Sequence, residues 1–365
     1  MIFNAQPIRY APSVETPEPD EAETAEGLMK ALRQVSETTL KDGGHALRSV
    51  HAKSHGILDG RLHIPQGLPP ELAQGLFAQP GDHEVVMRLS TIPGDILDDS
   101  VSTPRGLGLK IMGVEGERLE GSEGASTQDF VLVNGPSFAA PNGKVFLANL
   151  KLLAATTDKA QGAKKVLSAV NRGLEHVVEA FGGKSPNLIT LGGQPETHIL
   201  GESFYSQVPL RWGDYIAKVA VVPSSQALKA LTGEHLKING VPDALRGSVV
   251  DFFAEQGGEW EIQVQLCTDL DEMPVENAHK TWDEDKSPYR TVGRIVVEPQ
   301  VGWSEARSAM VDDGMAFSPW HGLEAHRPLG QIMRLRKRAY EMSAHFRAEN
   351  NHHPIAEPRS FAPED

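Results

Sequence analysis

The chain has 365 residues, enough for one large domain or two modest ones, and its apolar (39%) and charged (23%) fractions are those of an ordinary globular protein. With 49 acidic against 35 basic residues, the net charge of −14 argues against a nucleic-acid partner and suits a small neutral substrate. A single cysteine, Cys267, rules out an intrachain disulfide and a cysteine-based metal site.

The opening MIFNAQPIRY lacks the charged-then-apolar pattern of a secretory signal, and no apolar run reaches membrane-spanning length. A cytoplasmic protein with no membrane span is therefore expected. Residues 1–26, rich in Pro and acid, read as a flexible N-terminal arm. From Leu28 the apolar residues Leu28, Leu32, Val35 and Leu40 keep helical spacing until Gly43-Gly44 ends the run. That helix delivers the chain to Arg48-Ser-Val-His51-Ala-Lys53, after which Lys53-Ser-His-Gly-Ile-Leu-Asp-Gly60 reads as turn-rich.

Residues 84–91 read as a strand with Val86, Arg88 and Ser90 on one face and Val85, Met87 and Leu89 on the other. In the strand 105–112, Gly106 and Gly108 share a face, which marks a barrel bend or the close approach of a flat group. A third strand, 129–134, puts Phe130, Leu132 and Asn134 together. Helices are expected around 144–155 and 163–181, then strands at 205–210 and 214–222 and a helix at 246–255. Glu259–Leu266 alternates cleanly, with Trp260, Ile262, Val264 and Leu266 inward, and a further strand falls at 293–298. A final helix, 329–348, carries an apolar stripe among Arg334, Arg336, Lys337 and Arg338, and 349–365 reads as a frayed tail. The elements describe an α+β domain over 27–348: an antiparallel β-barrel over about 44–300 with inserted helices, then a segment and helix over about 301–348.

A histidine near a serine and an asparagine, with arginines close by, admits several chemistries. No Gly-x-Ser-x-Gly turn offers a serine nucleophile. His51 and His55 lack a third zinc ligand. Peroxide cleavage on haem suits the set better, because it needs a distal base, a neutral donor to polarise the peroxide and cations for the propionates.

Arg48 with VHAK, RLST at 88–91, STPRGLGLK at 102–110 and DFVLVNGPSF at 129–138 together resemble the haem catalases, in the family's order. Later segments resemble the small catalase-related branch. The resemblance implies a catalase-like barrel holding haem b, with His51 as distal base, Asn134 as distal amide and Ser90 fixing the His51 tautomer. It implies Arg48 and Arg88 at the propionates, Val50 over the iron, Gly106 at the haem face and Phe146 against a pyrrole. Family members carry Arg-x-x-x-Tyr below the haem, the Tyr ligating iron. The stretch 315–330 has no tyrosine, and an ungapped match back from Leu329-Gly330 puts His321 on the ligand position, with His326 and Arg327 as further cofactor contacts. Thr103 replaces the family's acidic channel residue.

The function expected is a haem-dependent hydroperoxidase, taking hydrogen peroxide or an organic hydroperoxide and a small organic reductant. A fatty-acid hydroperoxide isomerase or lyase, and a haem carrier or sensor without turnover, are the alternatives. Assembly into a homo-oligomer is left open.

Overall fold

The structure, a computed structural model, describes residues 6–101, 103–156 and 195–361. The helix expected at 163–181 lies outside the described residues.

Among the described residues nine strands build one antiparallel sheet: β1 Ser54–Ile64, β2 Gly81–Thr91, β3 Arg105–Met112, β4 Thr127–Val133, β5 Phe204–Tyr205, β6 Leu210–Trp212, β7 Tyr215–Pro223, β8 Gly258–Leu266 and β9 Arg290–Val297. Strand β5 pairs with both β4 and β7, and β9 pairs with β1. Eight strands therefore close into a barrel, while β6 hangs on β7 as a hairpin arm. Closure leaves the eight strands without a free edge, which removes the main aggregation hazard of a sheet. The α+β reading holds.

Strand parity sorts the residues. Leu58, Met87, Leu89, Leu107, Leu109 and Leu132 point inward and join Phe204, Trp260 and Ile262 in the principal core. The opposite face of β1–β4 carries Ile57, Val86, Arg88, Ser90, Gly106, Gly108 and Lys110 in register with one another. It packs against Val311, Met315 and Phe317.

Among the described residues six α-helices accompany the barrel: α1 Glu21–Gly43, α2 Gly143–Thr156, α3 Gln226–Ala230, α4 Ala244–Glu255, α5 Glu305–Ser308 and α6 Gln331–Asn350. The stripe Leu28, Ala31 and Leu32 of α1 is buried against Leu335 and Ala339 of α6 and Leu150 of α2. Full burial of each large aliphatic side chain is worth about 1.5–3 kcal/mol. Gly44 ends α1 in the left-handed region (φ 70°), its N–H donating to the Leu40 carbonyl. Among the described residues no helix is long and apolar enough to cross a membrane.

Three expectations change. The turn-rich stretch after Lys53 is strand β1, because its glycines permit close approach rather than reversal. A Cβ at Gly56 would meet Val249, and one at Gly60 would stand 2.7 Å from the Val296 carbonyl oxygen. The N-terminal arm, over residues 6–20, lies along the barrel: the Ile8 and Tyr10 amides donate to the Cys267 and Asp214 carbonyls, and Glu15 pairs with Arg327 and Arg334. The C-terminal tail is anchored by Glu357, whose carboxylate meets Lys110 at 2.5 Å and accepts from Thr127 at 2.7 Å.

The contact at Gly60 makes a test. Gly60→Ala drives a methyl into backbone that cannot swing aside, so it is expected to lower unfolding free energy by about 1–3 kcal/mol. Urea denaturation measures it, and an unchanged midpoint would show that β1 and β9 can part at that point.

Candidate functional site

His51 leads into β1 from a short loop and sits with a left-handed backbone (φ 57°), rare for a residue with a side chain. The strain is held by its own N–H on the Ile92 carbonyl (2.7 Å) and by Ala52 N–H on the Pro93 carbonyl (3.0 Å). This twist aims the imidazole back over β3. A Cβ on Gly106 would collide with His51 Cε1 and Nδ1, so only glycine fits beneath the ring. Strand β3 stays in register through Gly106 and Gly108, so these glycines mark close approach and not a bend. Phe317 covers Gly108 in the same way.

Ser90, paired with Gly106 across β2–β3, has its Oγ 3.1 Å from His51 Nδ1 and donates weakly to the Gly106 carbonyl at 3.5 Å. That direction of donation puts the proton on Nδ1 and leaves Nε2 as the basic atom. Burial, then the charges of Arg88, Arg336 and Arg48, push the His51 pKa down to about 3. The imidazole is neutral at any ordinary pH.

Beside it lies a buried ion cluster. Asp312, in a π-helical turn (Ala309–Asp313), accepts from Arg88 Nε (2.5 Å) and Arg48 Nη1 (3.0 Å) through one oxygen. Its other oxygen accepts from Ser54 and Ser308, each at 2.7 Å. Burial alone would raise this carboxyl, but the Arg88 and Arg48 charges hold it well below the usual carboxylate range. Arg347 of α6 joins through the Asp312 and Met315 carbonyls. Burial, then the charges of Arg347 and Arg88, force Arg48 well below its ordinary value. The Arg347 Nε is buried and has no hydrogen-bond partner among the described residues. Arg48 and Arg88 thus share one buried carboxylate, with the Arg347 guanidinium on backbone carbonyls beside them.

The far wall is one face of α6. Residues 336, 340, 343 and 347 recur at helical spacing, and Arg336, Ser343 and Arg347 reach the site. Arg336 Nη2 donates to the Tyr340 hydroxyl. Ser343 Oγ lies 3.2 Å from Ser49 Oγ in the His51 loop, and Arg347 enters the cluster just described. Half-buried Val50, Phe138, Phe146, Trp320 and Met342 form the apolar surround, with Phe138 and Phe146 edge-on at 5.0 Å.

The structure therefore brings together His51, Ser90, Arg48, Arg88, Val50, Gly106 and Phe146. Four expected residues stand elsewhere. Asn134 is opposite Arg105 on the barrel's inward parity; its Oδ1 accepts from the Arg105 amide (2.8 Å) and its Nδ2 donates to Glu202 (3.3 Å). Val133, directly paired with Gly106, occupies the His51 face instead. His321 contacts Thr127 Oγ1 (2.8 Å) and Glu357 (3.4 Å) beside Lys110. Thr127 is paired with Met112, six residues along β3 from Gly106 and so about 20 Å away. His326 is locked among Phe77, Phe130 and Trp212 and accepts from the Leu76 amide at 3.0 Å. Arg327 is spent on Glu15, Glu324 and the Tyr10 hydroxyl. Sequence reading missed Tyr340, Arg336, Arg347 and Asp312. The Arg-x-x-x-Tyr spacing at 336–340 was the available signal for the first two.

Searches with the sequence match no protein-family model and no curated protein. The fold does match solved structures. A fungal catalase aligns at TM-score 0.60 with 19% identity, covering 87% of this chain and 62% of that one. Catalase A from Saccharomyces cerevisiae aligns at 0.58 with 18% identity, covering 86% and 63%. A bacterial catalase aligns at 0.55 with 17% identity, covering 99% and 69%. The chain has a catalase-like fold and spans less than two thirds of the fungal and yeast enzymes.

Asp312→Asn would leave the buried guanidiniums of Arg48 and Arg88 without their shared carboxylate, at an expected cost of about 3–5 kcal/mol near pH 7. The folded pKa of Asp312 lies below its unfolded value, so its contribution is complete above about pH 4 and is lost as pH falls through the folded value. Urea titrations should show the gap between wild type and variant closing as pH drops from 4 toward 2. A constant gap would mean that the charge on Asp312 is not what holds the cluster.

Proposed function

We propose that the chain binds haem b between the outer face of β2–β4 and helix α6 and acts as a hydroperoxidase. The observation that carries this is a neutral imidazole, strained into place over Gly106 and facing the Arg336–Tyr340 pair on the opposite wall. The residues fit the group in three respects. Gly106 lets the His51 imidazole lie close against the barrel face, where a distal base would stand. With Arg48 and Arg88 on one carboxylate and Arg347 on backbone carbonyls, positive charge is at hand for propionates, and the Arg347 Nε, without a partner among the described residues, is a donor for one of them. Tyr340 offers a phenol oxygen with a guanidinium beside it, the charge an anionic iron ligand needs, as the resemblance to catalases implies. Tyr340 replaces His321 in that role.

Haem bound here would supply the redox centre for O–O cleavage. His51 Nε2 takes the proton from one peroxide oxygen and returns it to the other, so that the bond breaks to an alcohol or water. Ser90 keeps the imidazole in the tautomer that can do this. Phe146 and Val50 exclude water from the path of that proton. Two electrons complete each turnover, from a second peroxide with release of oxygen or from a small organic reductant.

Hemin titration with absorbance detection tests the reading. Wild type should take up one equivalent, Tyr340→Phe should change the ferric spectrum, and His321→Ala should not; a protein that stays colourless ends the proposal. Oxygen release then marks catalase action and dye oxidation without oxygen marks peroxidase action. Conversion of a lipid hydroperoxide with neither marks an isomerase, and haem uptake with no turnover in any assay marks a carrier.

The low His51 pKa gives a second expected outcome. An imidazole titrating near its ordinary value of about 6.5 would lose about fivefold in rate between pH 6.5 and 5.5. Here kcat/KM for peroxide should stay level from pH 8 down to about 5, because His51 remains neutral throughout. A rate falling with an apparent pKa near 6.5 would show that the base is solvated.

A further inference from the structure

We propose that Val133 is a specificity-determining residue that turns the His51 cavity toward organic hydroperoxides, ROOH with an apolar R group, and away from hydrogen peroxide. This rests on the haem hydroperoxidase reading above and deepens it.

Directly paired residues on neighbouring antiparallel strands share a face, with Cβ atoms about 5 Å apart. Val133 and Gly106 are such a pair, and Gly106 lies directly beneath the His51 ring. The Val133 methyls therefore stand beside the imidazole. The amides that could have served there are committed elsewhere. Asn134 bonds Arg105 and Glu202, and Gln207 donates to the Gly135 and Ser137 carbonyls. Tyr205, which pairs with Val133 on its other side, has its ring against Tyr289 at 5.9 Å. Val50 and Phe146, which pack against one cluster of α1, α2 and α6, are the other apolar side chains assigned to the site.

Hydrogen peroxide has an O–H at each end, and both need polar partners when buried. Beside Val133, His51 can satisfy one end and the other faces methyl groups. An organic hydroperoxide has a single O–H for His51 and presents carbon where hydrogen peroxide presents its second hydroxyl. The wall built from Val133, Val50 and Phe146 matches that carbon. Substituting an amide donor for Val133 restores a partner for the second hydroxyl, and loss of a comparable donor in other enzymes changes rates by about 10²–10³.

The experiment uses hemin-loaded wild type, Val133→Asn and Val133→Thr, the last a near-isosteric donor in case the amide perturbs folding. The ratio of kcat/KM for cumene hydroperoxide over hydrogen peroxide is measured with one dye, and fluoride affinity is measured by absorbance. Wild type should favour cumene hydroperoxide, and both variants should shift the ratio toward hydrogen peroxide, by about 10-fold or more for Val133→Asn. Fluoride, which relies on a hydrogen-bond donor, should bind more tightly to both. Equal use of the two peroxides by wild type, or variants with unchanged ratio and unchanged fluoride affinity, would overturn the assignment. Failure of wild type to take up hemin would sink the haem reading and this proposal together, and it is seen before any peroxide is added.

Discussion

Burying one carboxylate among several guanidiniums is tolerable only when every oxygen lone pair and nearly every N–H finds a partner. Asp312 meets that condition and, in doing so, joins segments far apart in the chain. Arg48 comes from the loop after α1, Ser54 and Arg88 from β1 and β2, Ser308 from α5, and Arg347 reaches the Asp312 carbonyl from the last helix. The loop that presents His51 is fixed at one end by Arg48 and braced at its middle by Ser49, which bonds both Ser36 of α1 and Ser343 of α6. The geometry of the cavity is thus inherited from this cluster. With the His51 and Ala52 amides on the Ile92 and Pro93 carbonyls, the cluster keeps His51 in a left-handed conformation.

The barrel contributes differently. Its interior is an ordinary apolar core, while the outward face of β1–β4 is treated as a second interior, with charged and small residues buried under helices and loops. Lys110 and Asp129 show the same logic at the far end of that face. They are fully buried and paired at 2.7 Å, and Glu357 closes the group from the C-terminal segment. Burial, with Lys110 opposing it and Glu357 adding to it, raises the Asp129 carboxyl to about 7. His321 belongs to this group, which explains both its burial and its distance from the cavity.

Much of this is legible in the sequence because strand parity is a strict period. The alternation 259–266 and the grouping of Arg88 with Ser90 both follow from it, and so does the placement of Gly106. Asn134 shows what happens when motif likeness overrides parity: the same count groups it with Phe130 and Leu132, which face the core. On the proximal side the spacing Arg336–Tyr340 stands in the sequence, inside a helix whose arginines read as a wet face, and an ungapped match from Gly330 led to His321 instead. Asp312 and Glu357 carry no local signal. Their partners lie 224 and 247 residues away, and only the assembled fold brings them together. Strand β1 is hidden for a related reason, since a glycine that admits a neighbouring strand is indistinguishable, in one dimension, from a glycine that turns the chain.

The anchoring of Glu357 has a consequence for biosynthesis. Lys110 sits in the third strand, so its counter-charge leaves the ribosome long after the barrel wall that needs it. Until then a buried ammonium has Asp129 alone for company, and the outer face of β3–β4 stays uncovered near Thr127. Maturation of that wall is therefore a late event, complete only once residue 357 is free to dock.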